Sequence, residues 1–330
     1  MLSAPLDLDE GALARVLERA WGIRVAAMTY RPVGWGSHHW EVADHGADRW
    51  FVTVDELETK RFTGSESLDD GFRRLRASLR SAVELADAGR GFVVAPVPES
   101  GNDGEPTVRL GSRFAVAVYP FVEGRSFAWR DGATPEWRRA TVAMVAGVHT
   151  ASARARRYAL TDDFTVPFRD EVEAACGGEV TDTGPYARSV AALMREHAIP
   201  VQRALERYDG LASLARSRPD RNVLTHGEPH PGNTMLTADG WRLIDWDTVL
   251  VAPPERDLWD LDPGDGSILD AYAAATGTTA LPELLDLYRL CWDIKDIAYD
   301  VSRFRRPHSG SVDDDKSWEL LCRLVRRAVG

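Results

Sequence analysis

The amino-acid sequence predicts an α+β protein: a small antiparallel sheet with one long helix, followed by a mostly helical second part. Short apolar runs separated by polar, glycine-containing turns dominate the first part, as in β-hairpins. Apolar side chains recur at helical spacing over residues 68–88, between those runs. After Gly124 the long periodic segments are helical instead, at 137–153, 186–208, 282–304 and 317–329.

Each element of the first part follows from a local pattern. Asp7 or Asp9 is expected to cap a first helix, which Gly22 ends. Apolar runs bounded by turn residues predict strands at 25–33, 40–43, 50–54, 92–97 and 114–121. In the second part, only three short runs predict strands, at 223–225, 234–236 and 241–244. We therefore expect two domains, residues 1–120 and 121–330, with the linker near residues 120–124.

The composition excludes several classes of protein. The chain has 330 residues, 44% of them hydrophobic, and a formal net charge of -11. It can bury a sizeable core, but an acidic chain lacks the basic surface that a nucleic-acid partner requires. Its three cysteines stand far apart without metal-ligand spacing, which indicates free thiols in a reducing cytosol. No secretory signal or membrane-length apolar run is evident, so we expect a cytoplasmic protein with no membrane partner. A monomer and a homodimer both stay open.

The polar side chains that carry chemistry are concentrated in residues 224–247. Glu228 and Asn233 lie five residues apart in a loop that Pro231 and Gly232 would fix. Asp245 follows an apolar strand, and Asp247 comes two residues later. Phosphoryl transfer needs a carboxylate to orient and deprotonate a hydroxyl, and hard oxygen ligands for Mg²⁺. This segment supplies both.

These two motifs resemble the catalytic core of the aminoglycoside phosphotransferase and choline-kinase-like families, and most resemble spectinomycin-type phosphotransferases. The resemblance implies a two-lobed protein-kinase-like fold with a nucleotide-binding N-lobe and a helical C-lobe. It implies a kinase that transfers the γ-phosphoryl of ATP or GTP to a hydroxyl of an antibiotic or related metabolite, with antibiotic resistance as the outcome. Glu228 would be the catalytic base, and Asn233 and Asp245 would hold Mg²⁺.

The resemblance also assigns supporting residues. His226 would hold the loop without carrying protons, while His230 could either contact phosphate or cap the loop. Asp247 could be a second metal ligand or a support. Asp257, in the segment 252–258, would be a buried carboxylate that supports the catalytic loop.

The first part would bind the nucleotide. The turn at Gly34, Trp35, Gly36 and Ser37 would lay backbone N–H groups over phosphates. Residues 119–124 resemble the inter-lobe hinge, where Tyr119 and Phe121 or Val122 would line or pair with the base. Pro120 has no N–H and cannot donate there. Val52, on the third strand, completes the predicted nucleotide site.

Two features depart from the family pattern. The catalytic position carries Glu228 instead of Asp, and the added methylene displaces the carboxylate by roughly 1.5 Å, a shift that can cost about a hundredfold in rate. Thr53 occupies the place of the strand lysine that binds phosphates. Candidate replacement cations are Lys60, Arg61, Arg73, Arg74 and Arg76. His38 and His39 could also reach phosphate, but strand alternation allows only one of them to do so.

The acceptor is not encoded in these motifs. Acidic and aromatic residues of the second part are candidates for binding an amine-bearing substrate, chiefly Trp259, Asp293 and Asp296. Two alternatives to an active kinase remain. One is a nucleotide-binding protein with little or no transfer activity. The other is a metal-dependent hydrolase that uses His226, Glu228 and His230.

Overall fold

The computed structural model of the chain describes residues 1–5, 7–34, 36–101, 104–129 and 133–327. These residues form two compact units. The first unit comprises residues 1–60, 67–162 and 220–280 and includes both motifs with the N-terminal sheet. The second comprises residues 61–66, 163–219 and 281–330. The predicted domain boundary at residue 120 falls inside the first unit and stays a prediction.

The N-terminal part is a five-stranded antiparallel sheet in the order β1-β2-β3-β5-β4. Its strands are β1 (Val25–Arg31), β2 (Ser37–Asp44), β3 (Arg49–Glu56), β4 (Val108–Leu110) and β5 (Phe114–Pro120). Helix α1 (Glu10–Trp21) precedes it. The Asp9 side chain accepts from the backbone N–H of Gly11 at its start, and Gly22 ends it in the left-handed region.

The two faces of this sheet pack against different elements. Val52 and Val54 of β3 point to the face that α1 covers, where Leu13 and Leu17 are fully buried. Residues of opposite parity point to the other face, because side chains alternate along a strand. There Ala115 and Ala117 of β5 pack against helix α2 (Leu68–Asp87) and against the buried residues Leu243 and Trp246.

Helix α2 positions the short 3-10 turn Leu57–Lys60 that follows β3. Ser67 and Asp70 form a capping box at the start of α2. Gly71, one residue later, lets the turn approach closely, because a Cβ at that position would lie 2.8 Å from the Leu57 carbonyl oxygen. Arg74 adds a hydrogen bond from Nη1 to the Lys60 carbonyl at 2.6 Å. The position of Lys60 therefore depends on the packing of α2.

The rest of the first unit contains a β-hairpin and the short strands and helices around it. Strands β8 (Thr234–Thr237) and β9 (Gly240–Leu243) form the hairpin, and β6 (Arg125–Ser126) pairs with β8. Strand β7 (Val223–Thr225) pairs antiparallel with β10 (Leu250–Ala252). The helices of this region are α3 (Pro135–His149), α4 (Ala153–Arg156), α8 (Glu255–Leu258) and α9 (Ser267–Thr276).

The second unit is helical in its described residues. It contains α5 (Arg169–Cys176), α6 (Ala187–Glu196), α7 (Ala198–Arg216), α10 (Pro282–Phe304) and α11 (Val312–Arg327). The single helix predicted at 186–208 is wrong, because the chain breaks at His197 and restarts as α7. Pro200 lies in the first turn of α7, where its missing N–H leaves no hydrogen bond unmade.

The strand predicted at 92–97 is also wrong. This segment makes only an isolated bridge between Val93 and Leu243, and the Val97 N–H donates to the Val118 carbonyl at 2.7 Å. The edge strand beside β5 is β4 instead. Strand β4 and helices α5 and α9 were not predicted from the sequence. No described helix is long and apolar enough to span a bilayer.

The close contact at Gly71 makes a stability prediction. An alanine in a helix interior ordinarily stabilises relative to glycine by about 0.5–1 kcal/mol. We expect Gly71→Ala to destabilise instead, by about 1–3 kcal/mol, because its methyl group meets a backbone oxygen that cannot rotate away. Gly210→Ala in α7, where an added Cβ has nothing within 4 Å, is the matched control and should stabilise. Urea unfolding measures both variants, and equal stabilisation of the two would contradict the packing argument.

Candidate active site

The hairpin β8–β9 brings the two sequence motifs together. Thr234 pairs with Leu243, so Asn233 and Ile244 face each other just beyond the last pair. The Ile244 N–H donates to the Asn233 carbonyl at 3.0 Å. Asn233 and Asp245, which are twelve residues apart in the sequence, therefore lie at the same end of the hairpin.

The carboxylate of Asp257 fixes the loop that leaves β7. It accepts the His226 N–H at 2.8 Å and the Gly227 N–H at 2.6 Å. His149 at the end of α3 donates to it from Nε2 at 3.0 Å and accepts the Tyr272 hydroxyl on Nδ1 at 2.8 Å. Burial alone would raise the pKa of Asp257, but the His149 hydrogen bond and the charges nearby hold it below its usual value. The predicted supporting role of Asp257 fits these contacts.

Arg256 closes the other side of the same loop. Its guanidinium donates to the Thr225 hydroxyl at 2.9 Å and to the Thr248 carbonyl at 2.8 Å. Gly227 has a φ of 105° and lies against this guanidinium, so that a Cβ would stand 2.4 Å from Nη2. Only glycine combines that backbone conformation with that approach. Sequence reasoning missed Arg256, although it directly precedes Asp257.

His226 holds the loop through both ring nitrogens. Nε2 donates to the Ile244 carbonyl at 2.9 Å, and Nδ1 accepts the Glu228 N–H at 3.2 Å. The side chain is fully buried against Trp246, and burial lowers its pKa. These contacts define a neutral imidazole with its proton on Nε2, which ties the first motif to the strand that leads to Asp245.

The side chains of Glu228, His230 and Asn233 share one short loop. The Asn233 Nδ2 donates to the Glu228 carbonyl at 3.0 Å, which leaves the amide oxygen as its metal-type donor. The Glu228 side chain keeps 33% of its surface exposed, and its Oε2 lies 3.8 Å from the His230 Nε2. His230 stacks on Trp129 with ring centroids 4.3 Å apart, and burial lowers its pKa to about 4.

Asp245 and Asp247 form a hydrogen-bonded pair at the start of the second motif. Desolvation raises the pKa of Asp245 well above its usual value, and the neighbouring charges of Asp247 and Glu228 raise it further. Asp245 also has a φ of 66°, a left-handed conformation that is uncommon for a residue other than glycine and is concentrated at functional sites. A cation bound close to Asp245 would relieve the repulsion from these two neighbouring carboxyl groups.

The donor set fits a magnesium ion better than a zinc ion. Oxygen atoms of Asn233 and Asp245 are hard ligands, and Mg²⁺ uses one or two carboxylates with phosphate and water for the remainder. Among the described residues no group of three His, Cys, Asp or Glu side chains is arranged to hold a metal ion. Both ring nitrogens of His226 are already hydrogen-bonded to the backbone. These contacts give the hydrolase alternative, which used His226 as a ligand, no support.

Lys60 brings a positive charge to these carboxylates. Its Nζ lies 2.6 Å from the Asp247 Oδ2 and 2.9 Å from the Asp55 Oδ1. Burial alone would lower the pKa of Lys60, but the two carboxylates raise it well above its usual value. The ammonium therefore stays charged. Asp55 at the end of β3 was missed by sequence reasoning, because nothing in the strand pattern indicates its partner.

The glycine turn lies next to this charged group. Gly34 and Gly36 have φ values of 69° and 94°, and Ser37 donates from Oγ to the Asp55 Oδ1 at 2.6 Å. His39 stacks on Phe51, and burial lowers its pKa to about 4. His38 points to the opposite face and contacts Glu56 at 3.1 Å. Trp35 lies outside the described residues.

Two predicted nucleotide contacts need correction. Val52 is fully buried in the cluster under α1, on the sheet face opposite Thr53, so its side chain cannot line the same site. The Phe121 N–H donates to the Arg49 carbonyl at 3.2 Å, which leaves Val122 as the candidate backbone donor of this segment. Tyr119 pairs with Phe51 and so lies on the same sheet face as Thr53, and its role in contacting the base stays a prediction.

The predicted substrate residues are distributed over both units. Trp259 follows α8 in the first unit and is half-buried. Asp293 and Asp296 lie on α10 in the second unit. Burial raises the pKa of Asp293, and an ion pair with Arg327 opposes this shift. Their role in substrate binding stays a prediction.

Comparison with known proteins identifies relatives over most of the chain. A sequence profile of the phosphotransferase enzyme family matches residues 29–291. Protein StrN of Streptomyces griseus is 34% identical over 262 residues, which cover 74% of this chain and 75% of StrN.

Solved structures of antibiotic kinases share the fold. Spectinomycin phosphotransferase in complex with ADP and spectinomycin has a TM-score of 0.69 at 16% identity, with 97% of each chain covered. Amicoumacin kinase in complex with AMP-PNP, Ca²⁺ and Ami has a TM-score of 0.61 at 13% identity, with 97% of this chain and 93% of that chain covered. The family resemblance and the α+β protein-kinase-like fold class are thereby confirmed.

The buried Asp257 carboxylate predicts a pH-dependent loss of stability. Asp257→Asn should destabilise by about 2–4 kcal/mol at neutral pH, because the amide cannot accept both loop N–H groups and the His149 proton as a carboxylate does. The depressed pKa means that this stabilisation is complete above the unfolded pKa of about 3.9 and is lost as the pH falls through the folded pKa.

The difference between wild type and Asp257→Asn should therefore shrink below about pH 4. Denaturant unfolding at a series of pH values measures it. Asp270→Asn, at an exposed position of α9, is the control and should change stability little. If the difference in unfolding free energy between wild type and Asp257→Asn stayed constant at the lowest pH values, the proposed link between stability and protonation of Asp257 would be contradicted.

Proposed function

The chain belongs to the phosphotransferase enzyme family, and on that premise we propose that it is a kinase that transfers the γ-phosphoryl of ATP or GTP to a hydroxyl of a small molecule. The observation that carries the proposal is the arrangement of Glu228 beside the Asp245–Asp247 pair, on a loop that Asp257 and His226 hold rigid. A general base and hard oxygen ligands at one place are what this reaction needs.

The residues divide the work of the transfer. Glu228 has a half-buried carboxylate that can accept the proton of an acceptor hydroxyl, while its backbone is fixed by His226 and Asn233. Asn233 and Asp245 would hold Mg²⁺, which when bound neutralises charge on the triphosphate. His226 orients the loop and would transfer no proton, since both its ring nitrogens are hydrogen-bonded to the backbone.

The nucleotide would bind along the sheet face that carries Thr53. Gly34 and Gly36 would place backbone N–H groups over phosphates, next to Ser37. Tyr119 and the Val122 N–H would contact the base. We also propose that the protein is located in the cytoplasm and is a monomer or a homodimer.

The acceptor proposed is an antibiotic or related metabolite with a free hydroxyl, and antibiotic resistance would follow from its phosphorylation. Solved neighbours whose complexes contain spectinomycin or Ami support this class. Mass spectrometry of aminocyclitols, aminoglycosides, and nucleoside and peptide antibiotics, incubated with the protein, Mg²⁺ and ATP or GTP, tests it. A phosphate adduct on one compound is expected. Tight nucleotide binding without any adduct would favour the nucleotide-binding alternative instead.

Glu228 is expected to act as the base in spite of its extra methylene. Glu228→Gln should lower the transfer rate by about 10²–10⁴-fold while nucleotide affinity is kept, because only proton acceptance is removed. Glu228→Asp should also be slow, by about a hundredfold, since this loop is built around the longer side chain.

Initial rates with the identified acceptor measure both effects. Glu206→Gln, at an exposed position of α7, is the control and should keep full activity. Full activity of Glu228→Gln would show that another group accepts the proton.

Asp245 is expected to be the principal protein ligand of the metal. Asp245→Asn should abolish the gain in ATP affinity that Mg²⁺ provides. It should also raise the activation barrier of transfer by several kcal/mol, which lowers the rate about 10²–10⁴-fold. Titration of ATP with and without Mg²⁺ measures the first effect. Asp239→Asn, at the exposed far end of the same hairpin, is the control. An unchanged Mg²⁺ dependence in Asp245→Asn would contradict the assignment.

A further inference from the structure

A chain of polar contacts links the glycine turn to the second motif through Lys60. Ser37 donates to Asp55 at 2.6 Å, and Asp55 lies 2.9 Å from the Lys60 ammonium. The same ammonium lies 2.6 Å from Asp247. Three segments that are distant in sequence therefore meet at one positive charge.

The ammonium of Lys60 contacts Asp55, which lies on the same sheet face as Thr53. Thr53 pairs with His39 and Ala117, and Asp55, two residues later, pairs with Ser37 and Ala115. Residues two apart on a strand share a face. This face therefore carries a neutral hydroxyl at Thr53 and, one pleat further, a carboxylate that anchors an ammonium from the following turn.

The ammonium retains capacity for a ligand. It has three N–H donors, and the two carboxylates accept two of them. Its side chain keeps 17% of its surface exposed, whereas that of Asp55 keeps 4%. Asp55 is thus a fixed anchor, while the free side of Lys60 is open to an incoming oxygen atom. A phosphate oxygen is the natural acceptor, since a compact ammonium binds phosphate as a point charge.

The other candidate cations are engaged elsewhere. Arg73 pairs with Asp70, and Arg76 lies 3.8 Å from Glu105. Arg61 donates to the Glu66 carbonyl at 3.2 Å. Arg74 donates to the backbone of Lys60 and so supports Lys60 itself.

We infer that Lys60 is the phosphate-binding cation of this protein. Anchored by Asp55, its ammonium donates to the phosphate oxygens of the nucleoside triphosphate and performs the task that Thr53 cannot. The inference rests on the proposed function. It concerns binding and positioning of the triphosphate, and it assigns no proton transfer to Lys60.

The test compares the affinities of the triphosphate and of the bare nucleoside, measured by calorimetry with Mg²⁺. In Lys60→Met the triphosphate affinity should fall by about 10- to 100-fold, as expected for loss of one charge-assisted contact. The affinity for adenosine or guanosine should not change, because no phosphate is present. Lys316→Met, an exposed lysine of α11, is the control and should match wild type for both ligands.

Relocation of the charge gives a second, stricter readout. In the double variant Thr53→Lys with Lys60→Met, a lysine on the strand has the same Asp55 within reach. This variant should recover a large part of the lost triphosphate affinity. A residue with only a structural role at position 60 would show no such rescue.

Removal of Lys60 leaves the buried Asp55 carboxylate without its cation, so folding is monitored by thermal unfolding. If Lys60→Met does not fold, Lys60→Met with Asp55→Asn removes both charges and takes its place, with the same expected loss of triphosphate affinity. An unchanged triphosphate affinity, or an equal loss for triphosphate and nucleoside, would overturn the inference. A wild-type protein that binds neither ligand would overturn the proposed function itself, and this outcome is recognised before any variant is made.

Discussion

The buried carboxylate of Asp257 is the interaction on which the catalytic loop depends. Where the chain leaves β7, the N–H groups of His226 and Gly227 have no strand partner, and Asp257 accepts both. Buried donors without acceptors would cost about 1–3 kcal/mol each, so the loop could not keep this path without the carboxylate. Because His149 in turn holds Asp257, the backbone that presents Glu228 is fixed by groups from α3 and α8.

The side chains around Asp245 and Asp247 carry more negative charge than positive charge. The charges of Asp247 and Glu228 both act on Asp245, and the one ammonium of Lys60 is shared between Asp247 and Asp55. Burial is the main cause of the raised pKa of Asp245, and the charges of Asp247 and Glu228 raise it further. A divalent cation would remove the repulsion, whereas a purely structural cluster would gain stability by replacing one carboxylate with a neutral residue. The excess of negative charge therefore favours a function in binding over a function in folding.

The sequence allowed prediction of the parts that local rules determine. Asn233 and Asp245 could be grouped because a short hairpin sets their separation, and the pairing of Thr234 with Leu243 places them as expected. Val52 was wrongly placed in the nucleotide site, because period-two alternation shows which strand residues share a face but does not say which face α1 covers. The segment 92–97 is apolar and extended, yet the place beside β5 belongs to β4, and only tertiary pairing decides between them. The contacts of Asp55 and Arg256 depend on residues far away in the sequence, for which a single sequence gives no signal.

Because the cation lies on the turn after β3 and not on the strand itself, different contacts determine its position. A lysine on β3 would be positioned by the hydrogen bonds of the sheet, which form an array with Ser37 and Ala115 on either side of Asp55. Lys60 lies instead on a 3-10 turn that rests on Gly71 and receives a hydrogen bond from Arg74, both on α2. A displacement of α2 along this contact would move the ammonium relative to Asp247, although the sheet itself stayed fixed. In this protein the packing of one helix thus sets the distance between the cation and the carboxylates, and so determines the field into which a triphosphate would bind.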